Sequence, residues 1–172
     1  MADLIPYHEK VPQVGERVFL AEGVRIIGDV VIGDDSSVFY NAVLRGDLNS
    51  IVIGNNTNIQ DGTTIHLSEN HGVQVGNNVA VGHNAILHGC TVEDGCTIGM
   101  GAIVMDGACI RKNSIVGAGA LVTAGKEFPE NSLIVGSPAR VLRHLTEEEI
   151  HGSRSNTEHY IRIKEDLRTS QK

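Results

Sequence analysis

Three histidines in the middle of the chain have the types and the spacing to do chemistry. His66 stands in the segment TTIHLS, and His83 and His88 stand five residues apart in VGHNAILHG, residues 81–89. Three neutral imidazoles with water in a fourth position are the ligand set of an open zinc site. Bound water there falls to a pKa of about 7 and is available as hydroxide at neutral pH. A lone histidine would read as a solvated corner residue. Three in a fixed phase relation read as metal ligands, and the phase comes from the elements that carry them.

Those elements are set by a repeat. Large aliphatic residues recur every six positions at Leu20, Ile26, Ile32, Val38 and Leu44, then at Ile53, Ile59 and Ile65. They resume at Val75, Val81 and Leu87, and end with Val92, Ile98, Val104, Ile110, Val116 and Val122. A period of six drifts off the face of an α-helix and is too long for a hairpin meander. It suits a short strand and a tight corner with one large inward side chain per unit. Three units make one triangular coil, and coils stack about 4.8 Å apart as in any β-ladder. The pattern predicts an all-β solenoid of about six coils. It slips between Leu44 and Ile53, between Ile65 and Val75, and between Leu87 and Val92. The first two slips insert residues at GDLNS and SENHG, and insertions in a solenoid are expected to emerge as loops on a working face.

The repeat decides which side chains can meet. His66 and His88 each follow an inward anchor directly, and their anchors lie three units, one coil, apart. They therefore stack in one column, with Arg45 after Leu44 in the same line. His83 lies two residues past Val81, and Asp61 two past Ile59, which makes a second column on a neighbouring edge. Within one chain the two edges diverge. A threefold arrangement of prisms would bring the first column of one chain against the second column of the next, so that three imidazoles converge at each interface.

Composition agrees with a thin prism. Aromatic residues are 3% of the chain with no tryptophan, against 41% apolar residues overall, and the 20 glycines are spread rather than clustered. The net charge of −7 without a basic run argues against nucleic-acid or anionic-membrane partners. No apolar run reaches the roughly 18–20 residues of a membrane span. The N-terminal MADLIPYHEK has neither a basic leader nor an apolar signal core, so a cytoplasmic location is the default expectation. Cys90, Cys96 and Cys109 form neither an even disulfide set nor a CxxC pair and read as reduced, buried thiols. Ala2 to Val14 reads as an irregular cap over the first coil. Beyond Val122 one more strand-like unit, SLIVG, precedes a helix starting at Thr146. Thr146 with Glu149 makes a capping box, and Tyr160, Ile163 and Leu167 lie on one apolar stripe. The division expected is a repeat domain over 1–143 and a helical segment over 144–172 packed on it.

The hexapeptide pattern resembles the left-handed parallel β-helix family, and the left hand is implied by that resemblance. The stretches RGDLNS, IGNNTNIQDG, IHL, VGHNAILHG and GSPAR resemble the γ-class carbonic anhydrases across nearly the whole chain. The resemblance implies reversible hydration of CO2 to bicarbonate by a zinc lyase, with ferrous iron or cobalt also suited to three imidazoles. It implies a homotrimer in which His66 and His88 come from one subunit and His83 from the next. Gln60 and Asp61 match residues that orient the metal-bound water, and Arg45 and Asp47 match an interface ion pair. Asn58 matches a polar neighbour, which leaves open a site role or a turn cap. Tyr160 resembles a tyrosine folded over the site, which leaves open catalysis or packing. Two departures stand out. Leu48 replaces a glutamate after the RGD tripeptide, and SENHG holds only Glu69 where relatives export protons through an acidic loop. His71 could move protons instead. The alternatives are a hexapeptide acyltransferase or thioesterase acting on CoA esters, and a non-catalytic trimeric assembly subunit that keeps the metal site.

Overall fold

The computed structural model describes residues 1–170, so residues 171–172 of the expected C-terminal segment lie outside the described residues. The chain is a parallel β-solenoid of about seven turns closed by one C-terminal helix, and its hexapeptide repeat fits a left-handed β-helix. One face is an eight-stranded sheet whose core order runs Phe19–Leu20, Ser37–Val38, Asn58–Ile59, Ala80–Val81, Thr97–Ile98, Ile115–Val116 and Ser132–Gly136. The other two faces form a twelve-stranded sheet, because the long strands Arg25–Ile32 and Val43–Ile53 carry pairing around a corner.

Every anchor of the six-residue repeat except Leu20 is buried, and Leu20, near the chain start, packs against the core while partly exposed. Register follows the repeat: Ile59 pairs with Val81, Val81 with Ile98, and Ile98 with Val116. A second inward position lies two residues before each anchor; it is small at Ala85, Cys90, Cys96, Ala102 and Ala120, and a larger aliphatic at Val30, Ile51, Val73 and Val79. Aliphatic and small side chains thus fill most of the interior, and its buried aromatics are Phe19, Phe39 and Phe128. Hydroxyls at this position bond the neighbouring coil. Ser36 Oγ donates to Gly54 O at 2.8 Å, Thr57 Oγ1 to Gly76 O at 2.8 Å and Thr63 Oγ1 to Gly82 O at 3.1 Å. The same position accounts for two of the thiols. Burial pushes Cys90 and Cys96 up to about 12, and all three cysteines are free.

The two insertions differ in form. SENHG is a loop, closed by backbone hydrogen bonds between Ser68 and His71. GDLNS is not a loop: strand Val43–Ile53 runs through it as a bulge, with Gly28 paired to Gly46 and Val30 to Ile51. Asp29 alone faces residues 47–50. The flanking pairs keep both ends of the strand in register, so the extra residues are pushed outward rather than released.

Both ends hold more regular structure than expected. Asp3–Ile5 and Gln13–Val14 are short parallel strands on Arg25–Ile32, because that long strand exposes an edge that backbone must cover. At the other end Ala139–His144 folds back antiparallel on Ser132–Gly136. The helix Glu147–Ser170 begins with the capping box: Glu149 N donates to Thr146 Oγ1 at 3.2 Å and Thr146 N to Glu149 Oε2 at 2.9 Å. Tyr160, Ile163 and Leu167 pack on the solenoid. Lys164, only 1% exposed, reaches through the same seam to donate to Asp35 O at 2.6 Å and Arg17 O at 3.2 Å.

Candidate metal centre

The first histidine column is formed by the strands Thr64–His66 and Ile86–His88, which pair in register with His66 opposite His88. Leu44 pairs with Ile65, which puts Arg45 in the same line one coil away. His66 Nδ1 lies 3.1 Å from His88 Nε2. The other nitrogen of each ring is occupied. His66 Nε2 is 2.9 Å from Asp47 Oδ1, and His88 Nδ1 is 2.9 Å from Asp106 Oδ2.

Both carboxyls are held ionised. Partial burial works to raise Asp47, but hydrogen bonds from His66, its own amide and Arg45 outweigh it and keep it below the usual carboxylate range. Asp106 shows the same contest, won by Ser68 and His88. An ionised carboxylate only accepts, so His66 Nε2 and His88 Nδ1 must carry the protons. The inner nitrogens, His66 Nδ1 and His88 Nε2, then face each other at 3.1 Å as the two ring positions not taken by a carboxylate. When both rings are neutral, their lone pairs at that distance repel unless a cation lies against both. Two metal–imidazole bonds of about 2.0–2.1 Å at a tetrahedral angle set their nitrogens about 3.3 Å apart. An imidazole that donates its far N–H to a carboxylate is also the usual state of a metal-ligating histidine. The donor pair therefore fits a divalent cation.

The second column lies beside the eight-stranded face. Ile59 and Val81 pair, and His83 Nδ1 sits 2.8 Å from Asp61 Oδ2, so Nε2 is the ring nitrogen that Asp61 does not hold. His83 shares a pocket with Gln60, Met100, Asn156 and Tyr160, the last two brought over by the helix. Gln60 is 5% exposed and its Nε2 donates to Asn58 Oδ1 at 3.0 Å, so its Oε1 remains an acceptor. Asn58 lies within a strand rather than at a turn, and its buried Nδ2 has no partner among the described residues. The Tyr160 ring meets Phe39 edge-on at 5.5 Å, and burial, with the Asp61 charge behind it, raises its phenol.

The structure thus pairs His66 with His88 and sets His83 with Asp61, Gln60 and Tyr160. Among the described residues no three His, Cys, Asp or Glu side chains converge on one point within the chain. Arg45 pairs with Asp47 inside the chain. Asp47 has a second partner that spacing did not suggest, His66. Asp106 and Ser68 were also missed by sequence reasoning. The signal for Asp106 was present, since Val104 stacks on Leu87, which places a carboxylate one coil from His88.

Comparison with known proteins places the chain in a family. Residues 89–124 match the bacterial transferase hexapeptide family (six repeats). The chain is 48% identical over 154 residues to the protein of Methanocaldococcus jannaschii named "Probable carbonic anhydrase", covering 90% of this chain and 97% of that one. The chain belongs to the γ-class carbonic anhydrase family. Another relative is the mitochondrial gamma carbonic anhydrase 2 of Arabidopsis thaliana, 41% identical over 93% of this chain and 60% of its own length. Among solved structures, a hexapeptide transferase family protein from Anaplasma phagocytophilum superposes with a TM-score of 0.91 at 42% identity, over 95% of this chain and 96% of that one. Members of this γ-class family share the solenoid with proteins titled as transferases, so the fold does not choose between the chemistries.

Proposed function

We propose that the protein catalyses reversible hydration of CO2 to bicarbonate as a metal-dependent γ-class carbonic anhydrase. Its sites lie between the subunits of a homotrimer. The carrying observation is the pair of ring nitrogens, His66 Nδ1 and His88 Nε2, 3.1 Å apart, with the other nitrogen of each ring held by a carboxylate. These two would hold the cation from one chain, and His83 Nε2 from the next chain would complete a three-imidazole set. Zinc, cobalt or ferrous iron suits those donors. The cation, when bound, supplies the Lewis acidity that makes a water nucleophilic at neutral pH.

The chain's own groups do the rest. Asp47, Asp106 and Asp61 fix the tautomers of the three rings so that one lone pair of each points outward. Gln60 Oε1 would accept a hydrogen bond from the attacking water and aim its oxygen, while Asn58 holds the Gln60 amide in place. The Tyr160 ring and Asn156 wall the pocket on its helix side. Proton export passes to solvent or to exposed His71, since Leu48 carries no charge and Glu69 is the only acid of the SENHG loop.

The trimer is supported by what crowns each column. Met105 continues the His66–His88 line and Met100 the Asp61–His83 line, and with Leu48 and Ile86 they stand exposed on a single chain. Apolar side chains aligned with both halves of a divided site are the expected core of an interface.

The test is metal content of purified protein together with stopped-flow CO2 hydration. Wild-type protein should carry a divalent ion and hydrate CO2, and His88→Ala should lose both. Activity unchanged in His88→Ala would overturn the reading. A titration showing tight acetyl-CoA binding would favour acyl transfer instead. A metal-loaded trimer inert towards CO2 would favour a non-catalytic assembly role.

A further inference from the structure

The two insertions interrupt the repeat between Leu44 and Val75, and the six-residue pattern gives them no packing role. Each delivers one polar side chain to the back of the histidine pair. The bulge in strand Val43–Ile53 delivers Asp47, whose Oδ1 takes His66 Nε2. The loop after His66 delivers Ser68, whose Oγ donates to Asp106 Oδ1 at 2.8 Å, while Asp106 Oδ2 takes His88 Nδ1 at 2.9 Å. The insertions are also tied together, because Asn49 Nδ2 of the bulge donates to Glu69 O of the loop at 3.1 Å.

We infer that these insertions form an orienting frame for the metal ligands, with Asp106 and Ser68 as positioning residues for His88. The inference rests on the metal-site reading given above and deepens it. The physical argument is rotational. His88 projects from a two-sided strand and is partly exposed, so its ring is free to turn about χ2 unless something holds Nδ1. Asp106 supplies that hold, but a lone carboxylate on a corner swings too. Ser68 removes this freedom by occupying the second oxygen from a loop that the other insertion braces. The line Ser68–Asp106–His88 therefore joins three successive segments, a loop, a coil corner and a strand, with the lone pair of Nε2 at its end. An outer partner of this kind is typically worth about 10–100-fold in metal affinity.

The experiment uses full-length protein stripped with a chelator and titrated with Co2+ in competition with a chelating dye. It is followed both by affinity and by the visible spectrum of bound cobalt, and thermal unfolding runs in parallel. Asp106→Asn should weaken Co2+ binding about 10–100-fold and alter the cobalt spectrum. Ser68→Ala should weaken it several-fold and Ser68→Thr should restore it, since the hydroxyl returns. Asp94→Asn serves as a corner carboxylate that caps Asn77 N and touches no histidine, and it should shift only the unfolding midpoint. Should Asp106→Asn fail to fold, the Ser68→Ala and Ser68→Thr pair decides. Affinity and spectrum unchanged in Ser68→Ala and Asp106→Asn, with wild type binding Co2+, would overturn the frame while leaving the site. Wild-type protein that takes up no Co2+ would overturn the site and the frame with it.

Discussion

At the scale of single residues, the chemistry depends on which nitrogen of each imidazole is left open. His66, His83 and His88 each have one ring nitrogen against an aspartate, at 2.8–2.9 Å. Each ring is thus anchored through one nitrogen and has the other left for a further partner. Gln60 is placed differently, since it lines the pocket of His83 and Tyr160 while its amide nitrogen donates to Asn58 rather than to a histidine. Its truncation should therefore separate catalysis from metal binding. Gln60→Ala is expected to retain the cation while kcat/KM for CO2 falls about 10²-fold, the usual loss when an orienting hydrogen bond is removed. Metal analysis and stopped-flow kinetics on the same sample would check it. The stacking of His66 on His88 and of Asp61 on His83 was legible in the sequence, because counting hexads gives the register directly. The partners Asp47, Asp106 and Ser68 were not. Their reach depends on how a bulge and a loop turn outward, and no periodicity encodes that.

At the scale of elements, the six-residue anchors specify the coils, and almost all of them are buried as spacing predicts. The exceptions lie where the repeat stops. The strands Asp3–Ile5, Gln13–Val14 and Ala139–His144 form because neighbouring strands expose unpaired backbone, a demand set by tertiary structure rather than by local pattern. GDLNS was read as a loop and is a bulge, because pairing on both sides of it survives. The C-terminal helix was legible from its capping box, and that box carries a pH signature. The Arg143 hydrogen bonds, then the Thr146 amide, lower Glu149 from an ordinary 4.5 to about 2. A depressed acid contributes stability that is fully present above its unfolded pKa and is lost as pH falls through its folded one. The first helical turn should therefore hold above about pH 4.5 and fray progressively towards pH 2. Glu149→Gln should abolish that pH dependence, and far-ultraviolet circular dichroism across the range reads both. Lys164 went unnoticed in the sequence, since a lysine between Ile163 and Leu167 looks like a solvated residue. Its burial follows from two backbone carbonyls at the solenoid corner that accept its hydrogen bonds.

At the scale of the whole molecule, the central claim is that the chain carries two halves of different sites. On that claim VGHNAILHG would hold one ligand of each, because a five-residue gap in a six-residue repeat puts His83 and His88 on separate edges. No helix among the described residues is long and apolar enough to cross a membrane, and the exposed Met100 and Met105 align with the two columns instead. A shared site makes a demand that a private one does not, namely that two inactive chains can complement each other. In a ring of three, any mixture of His83→Ala and His88→Ala chains contains a single junction where an intact His66–His88 pair meets an intact His83. The decisive measurement is metal stoichiometry of trimers purified after co-expression of these two variants under separate affinity tags. The account predicts one cation per mixed trimer and recovery of CO2 hydration, against none in either homotrimer. Mixed trimers as empty as the parents, or a full complement of metal in His83→Ala alone, would contradict it.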